Sequence, residues 1–163
     1  EPINKAILKH LELIEKESFQ IIWQTGNIHY QKYKHLESSN VKIFNFIDHM
    51  HFAYAAADIV ISRAGAIAIA EICLLKKASI LIPSPHVSEN HQYENAKSLA
   101  DNSATCLIKQ KSLDKLFWDK LKYLIHNELF RTNMSENAFS FGHNNAEQII
   151  VDEVIKLLEP EVL

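Results

Sequence analysis

The chain has 163 residues, is 47% apolar and 23% charged, and carries a formal net charge of −3. That is enough chain to bury a substantial core, and the composition is that of a globular domain rather than a disordered one. The slight acidic balance and scattered lysines exclude the basic stripe that would displace counterions from nucleic acid. The longest apolar run falls well short of the roughly 18 residues of a membrane span, and Glu1 to His10 lack the pattern of a signal peptide.

Pro2 suits the first turn of a helix predicted to run to about Lys16, with Ile3, Ile7, Leu8, Leu11 and Ile14 on one face. A strand is expected from Ser18 to Gln24, ended by Thr25-Gly26. A helix from Ile28 to Glu37 and a strand from Val41 to Asn45 follow. Asp48 is placed to cap a short helix through Tyr54 to Ala57. Asp58 to Ser62 reads as a third strand, Gly65 to Leu75 as a third helix and Ala78 to Pro83 as a fourth strand. Beyond the loop Ser84 to Gln92 come a helix from Asn90 to Asp101, a short strand Thr105 to Ile108, and helices over Ser112–His126 and Glu128–Phe139. A last helix starts at Asn144-Asn145 and is expected to turn Ile149, Ile150, Val154, Ile155 and Leu158 inward.

This alternation predicts an α/β domain with a Rossmann-like parallel sheet and helices on both faces, its β-to-α loops gathered at one edge. Ligands of such sheets bind outside the carboxyl ends of the strands. The loops at that edge are Gln24 to Asn27, Asn45 to His49, Ser62 to Ala66 and Ser84 to Gln92.

The most informative stretch is Asp58 to Glu71, where a β-branched strand meets an Ala/Ile-rich helix through Gly65, which is expected to make a tight turn. The helix start offers free N–H groups and the positive end of its dipole to an anion. Glu71, six residues beyond Gly65, is placed to return its carboxylate to the same end and accept from a pair of neighbouring hydroxyls such as those of a ribose. Arg63 is open to an ion pair, to bracing the loop or to neutralising a phosphate, and no catalytic role is assigned to it. Gln92 offers both donor and acceptor near a helix start, which suits sugar hydroxyls as well as it suits a surface amide.

Other chemistries find little support. Asp48-His49-x-His51 and the His86/His91 pair do not match a zinc spacing, so no metal is expected. Ser62 lacks a nucleophile elbow. Cys73 and Cys106 have neither paired nor metal spacing and read as reduced, buried thiols. With three glycines in the chain, a multi-glycine phosphate cradle cannot be built from these residues alone.

The ordered set Trp23-Gln24-Thr25-Gly26, Phe46-Ile47-Asp48-x-Met50, Tyr54-x-Ala56-Ala57-Asp58, Ile61-Ser62-Arg63-Ala64-Gly65-Ala66, Ala70-Glu71-Ile72, Ile82-Pro83-Ser84-Pro85 and His91-Gln92-x-x-Asn95-Ala96 resembles the carboxy-terminal domain of the MurG glycosyltransferase family. The resemblance runs from Trp23 to Ala96 and weakens towards both ends. It implies one half of a GT-B enzyme, with residues 1–163 forming the carboxy-terminal donor-binding domain. The acceptor domain would lie outside this sequence, as would a first strand and a glycine-rich loop expected just before Glu1, so that diphosphate binding by these residues alone should be crippled.

The activity implied is inverting transfer of N-acetylglucosamine from UDP-N-acetylglucosamine to lipid I, giving lipid II for peptidoglycan, with no cofactor. Ile47 would meet the uracil through its backbone. Ala66, Ile67, Ala68, Ile69 and Ala70 would supply the helix start near the nucleotide, Glu71 would hold the ribose hydroxyls, and His91 and Gln92 would face the N-acetylglucosamine. No catalytic residue is assigned within this chain. Lipid I, and the inner face of the bacterial plasma membrane on which the cytoplasmic enzyme would sit peripherally, would be engaged through the amino-terminal domain. Lys76-Lys77-Ala78 departs from the family's Gly-Lys-Pro and is expected to strain the helix end by on the order of 1 kcal/mol. Another UDP-sugar-dependent GT-B enzyme, such as a glycolipid synthase, shares these features. A non-catalytic receiver-type module would need carboxylates at strand tips that carry Gln24, Asn45, Ser62 and Ser84.

Overall fold

The computed structural model describes residues 1–17, 19–86, 90–142 and 145–158. Strands β1 (Ile21–Gln24), β2 (Val41–Phe44), β3 (Ile59–Ser62), β4 (Ala78–Leu81) and β5 (Cys106–Leu107) alternate with helices α1 (Pro2–Lys9), α2 (Leu11–Lys16), α3 (Asn27–Tyr33), α4 (Met50–Ala56), α5 (Ala66–Leu74) and α6 (His91–Asp101). Helices α7 (Leu113–His126), α8 (Glu128–Phe139) and α9 (Ala146–Leu158) complete the chain. All pairing is parallel, as expected. Among the described residues the ladder falls into two pieces, β1-β2 and β3-β4-β5.

One core nevertheless serves both pieces. Trp23, Val41 and Ile43 of the first piece pack into the same buried cluster as Ile80, Ile82 and Ile108 of the second, under Ala6, Ile7 and Ile14 from the amino end and Phe117, Leu121 and Leu124 of α7. Strand alternation sends Leu81 to the opposite face, where it joins Tyr54, Ile72, Cys73, Ala96 and Ala138. The β3-β4-β5 piece is therefore buried on both sides, whereas Ile22 and Phe44 leave the second face of β1-β2 exposed. Buried polar groups are satisfied in place. Asn4 accepts from the Trp23 indole N–H (3.0 Å) and donates to the Thr25 carbonyl (2.9 Å), and the hydroxyls of Ser79 and Thr105 lie 2.7 Å apart.

The expected first helix breaks at His10, whose ring bonds the Ala6 carbonyl (2.8 Å) and stacks on Trp118, bending the chain around α7. Two further expectations are corrected. Asp48 does not cap α4, because the helix begins later, after His49. Ile149, Ile150, Val154 and Ile155 of α9 do not turn inward; they are 44–63% exposed, since α9 contributes to neither buried cluster. The side chain of Leu158, the Asn144 cap, the Ser18 strand start and loop residues Val87 to Glu89 lie outside the described residues. Among the described residues no helix is long and apolar enough to cross a membrane.

The strain expected after α5 is present. Lys76 has φ +53°, and the Lys76 and Lys77 N–H groups bond back to the Cys73 and Ile72 carbonyls (3.1 and 3.0 Å), the arrangement that favours glycine at its left-handed position. Lys76→Gly should raise the unfolding free energy by roughly 0.5–1 kcal/mol, the ion pair of Lys76 with half-exposed Glu136 offsetting little of that gain. Urea denaturation of the two proteins checks it, and a lowered midpoint would count against the strain.

Candidate functional site

Strands β3, β4 and β5 are parallel, so the loops that follow them share one edge. Arg63 ties those loops together. Its guanidinium donates to the carbonyls of Ile82 (3.1 Å) and Pro83 (3.2 Å) and to the Gln110 side chain (2.8 Å), which settles its role as a brace, and burial pushes its pKa down. Gln92, half-buried in the first turn of α6, accepts from the Ser84 N–H at 2.9 Å and so clasps the ends of the β4–α6 loop. Its amide nitrogen keeps two donors for other bonds. His91 opens α6 with its side chain exposed.

Helix α5 starts at this edge without a side-chain cap. The first N–H bonded back into the helix is that of Ile69, to the Gly65 carbonyl at 3.0 Å, so those of Ala66, Ile67 and Ala68 have no intrahelical acceptor. Ala66, Ile67 (79% exposed) and Ala70 line the open side, while Ile69 packs against the core. Gly65 does not make the tight turn expected of it. Its backbone is extended (φ −70°, ψ 147°), and an added Cβ would meet no atom within 4 Å. The residue keeps the helix start open rather than bending the chain.

Glu71 is half-buried on α5, and its Oε2 accepts a 2.9 Å hydrogen bond from the Tyr54 hydroxyl. Tyr54 belongs to α4, which follows the β2 loop, so this bond ties α4 to α5 over the second face of the β3-β4-β5 piece. Burial first, and the Glu71 carboxylate second, push the Tyr54 pKa well up, keeping the hydroxyl a donor at any physiological pH. On the β1-β2 side the Ile47 N–H donates to Gln24 Oε1 (2.8 Å), and Asn45 donates to Asn27 (2.9 Å). The Ile47 backbone is thus engaged through its N–H.

Sequence reasoning passed over Tyr54 and Gln24, both inside quoted motifs, because spacing does not say which side chain a tyrosine on a neighbouring helix will reach. A pocket of about 380 Å³ opens beside the β4–α6 loop between Pro83, Ser84, Pro85, Asn90, Tyr93 and Lys109 to Lys111. It includes none of the expected contact residues. Among the described residues no three His, Cys, Asp or Glu side chains group to hold a metal. Cys73 and Cys106 are free thiols, their pKa values raised by burial.

The parallel α/β sheet with its loops gathered at one edge is the fold of a glycosyltransferase half-domain, and the chain belongs to the glycosyltransferase family 28 C-terminal domain family, whose profile matches residues 1–151. It is 39% identical over 160 residues to the UDP-N-acetylglucosamine–N-acetylmuramyl-(pentapeptide) pyrophosphoryl-undecaprenol N-acetylglucosamine transferase of Flavobacterium psychrophilum, covering 98% of this chain and 44% of the relative. Identity to the enzyme of the same name from Cytophaga hutchinsonii is 34% over 159 residues, covering 98% of this chain and 43% of that protein. The crystal structure of Acinetobacter baumannii MurG superposes with a TM-score of 0.76 at 28% identity, over 93% of this chain and 46% of that one. The chain thus spans about half the length of the relatives it matches.

Proposed function

We propose that residues 1–163 are the donor-binding, carboxy-terminal domain of a GT-B enzyme that transfers N-acetylglucosamine from UDP-N-acetylglucosamine to the lipid-linked muramyl-pentapeptide at the inner face of the bacterial plasma membrane. The reading is supported by the uncapped start of α5, the half-buried Glu71 carboxylate further along the same helix and the Gln92 amide in the first turn of α6. Diphosphate oxygens would be stabilised by the α5 N–H groups, the ribose hydroxyls by Glu71 and the sugar by Gln92 with His91 beside it. The Ile47 carbonyl would accept the uracil N3–H, with Gln24 turning its amide between the backbone and the base. Relatives named for this reaction match along nearly the whole chain, which favours it over a glycolipid synthase.

The two-piece sheet supports a larger protein. Strands β1 and β3 each have one edge without a hydrogen-bonded neighbour among the described residues, while Ile21 of β1 and Ile59 and Ile61 of β3 pack on the same core. Helix α1 starts beside the carboxyl end of β1, where Asn4 holds Thr25, and a right-handed crossover into β1 would bring a preceding parallel strand up between β1 and β3.

Calorimetry on the full-length protein tests the proposal. UDP-N-acetylglucosamine should bind, and Gln92→Ala should weaken it roughly 5- to 10-fold more than it weakens UDP, in line with the ~1 kcal/mol net value of a hydrogen bond. Equal losses for the two ligands would remove Gln92 from the sugar.

A further inference from the structure

From the bond between Tyr54 and Glu71 we infer that Tyr54 is the positioning residue that fixes the Glu71 carboxylate for a vicinal diol, and so sets the protein's preference for ribonucleotides over deoxynucleotides. The inference rests on the reading of Glu71 as the ribose ligand and adds a residue, and a specificity, to it.

A glutamate on a helix has three rotatable side-chain bonds, and ordering them on ligand binding opposes affinity. Here the order is supplied beforehand. Tyr54 is 8% exposed and its ring belongs to the second core with Ile72 and Leu81, so the hydroxyl is delivered to one place by packing. It takes one lone pair of Oε2 at 2.9 Å. A carboxylate has about four such acceptor sites, so Oε1 and the remaining Oε2 lone pair stay available for two neighbouring hydroxyls. Neither Lys nor Arg pairs with Glu71 among the described residues, so no cation competes for those oxygens. The bond also links Glu71 to the helix that follows Ile47.

A purely structural tie between α4 and α5 would look the same in a stability measurement, so the test reads ligand discrimination. UDP and 2′,3′-dideoxy-UDP are titrated calorimetrically into the full-length protein, its Tyr54→Phe variant and its Glu71→Ala variant. Phenylalanine keeps the packed ring and removes only the hydroxyl. Tyr54→Phe should weaken UDP about threefold to tenfold, leave dideoxy-UDP within twofold of the parent, and raise KM for the sugar nucleotide with kcat little changed. Glu71→Ala should abolish the preference for UDP altogether. If Glu71→Ala abolishes it while Tyr54→Phe leaves it intact, or weakens both nucleotides alike, the positioning role of Tyr54 is overturned and the ribose ligand stands. If Glu71→Ala itself preserves the preference, the assignment of Glu71 falls and this inference with it.

Discussion

Replacing Glu71 by alanine in the full-length protein should weaken UDP roughly 5- to 150-fold, because ~1–3 kcal/mol is lost when two hydroxyl groups of the ligand are desolvated and find no acceptor. The structure adds a second expected cost. The Tyr54 hydroxyl, now bonded to Glu71 at 2.9 Å in a half-buried setting, would be left without its acceptor. The domain should therefore also lose about 1 kcal/mol of stability. The two effects separate experimentally. Calorimetry well below the unfolding temperature reads the first, and urea denaturation without nucleotide reads the second. Unchanged UDP affinity, with the stability loss present, would mean that Glu71 is a structural partner of Tyr54 and nothing more.

Gln24 bears on the same experiment from the other end of the nucleoside. Its Oε1 holds the Ile47 N–H at 2.8 Å. A uracil presents one N–H donor between two carbonyl acceptors, so a backbone offering only its carbonyl can satisfy the donor and needs another group for a carbonyl. In the proposed binding mode the Gln24 amide nitrogen would be that group once the side chain turns. In that proposed mode, base and ribose contacts would depend on two side chains, Gln24 and Tyr54, that hold Ile47 and Glu71.

What the sequence made legible was local. Strand β-branching, the uncapped start of α5 and the left-handed Lys76 follow from residues a few positions apart, and the structure places β2 to β5, that helix start and Lys76 within a residue or two of expectation, while β1 begins only at Ile21. What it hid was tertiary. Arg63 had three open readings until its guanidinium was seen on two carbonyls of the β4 loop and on Gln110, forty-seven residues away. Gly65 invited a turn argument because glycine permits one, whereas its φ of −70° is open to any residue. The apolar pattern of α9 is helical, but periodicity gives a face and not the surface it meets. His10 broke a helix whose apolar spacing was continuous, because its ring found the Ala6 carbonyl and the Trp118 face.

Phe117→Ala should be the most destabilising single change in the shared core. The side chain is fully buried on α7, beneath both pieces of the sheet, and its ring lies 5.8 Å from that of His10 at the α1–α2 bend. Deleting a buried phenylalanine ring costs about 3–5 kcal/mol, from lost transfer energy and the cavity left behind. For a domain of this size that lowers the melting temperature by roughly 6–20 °C. The consequence for function separates packing from chemistry. Phe117 lies on the face opposite Tyr54, so below the new transition the fraction that remains folded should bind UDP as the parent does. A binding loss at 10 °C as large as that of Glu71→Ala would mean that the core beneath α7, and not only the Tyr54 contact, sets the geometry of the α5 carboxylate.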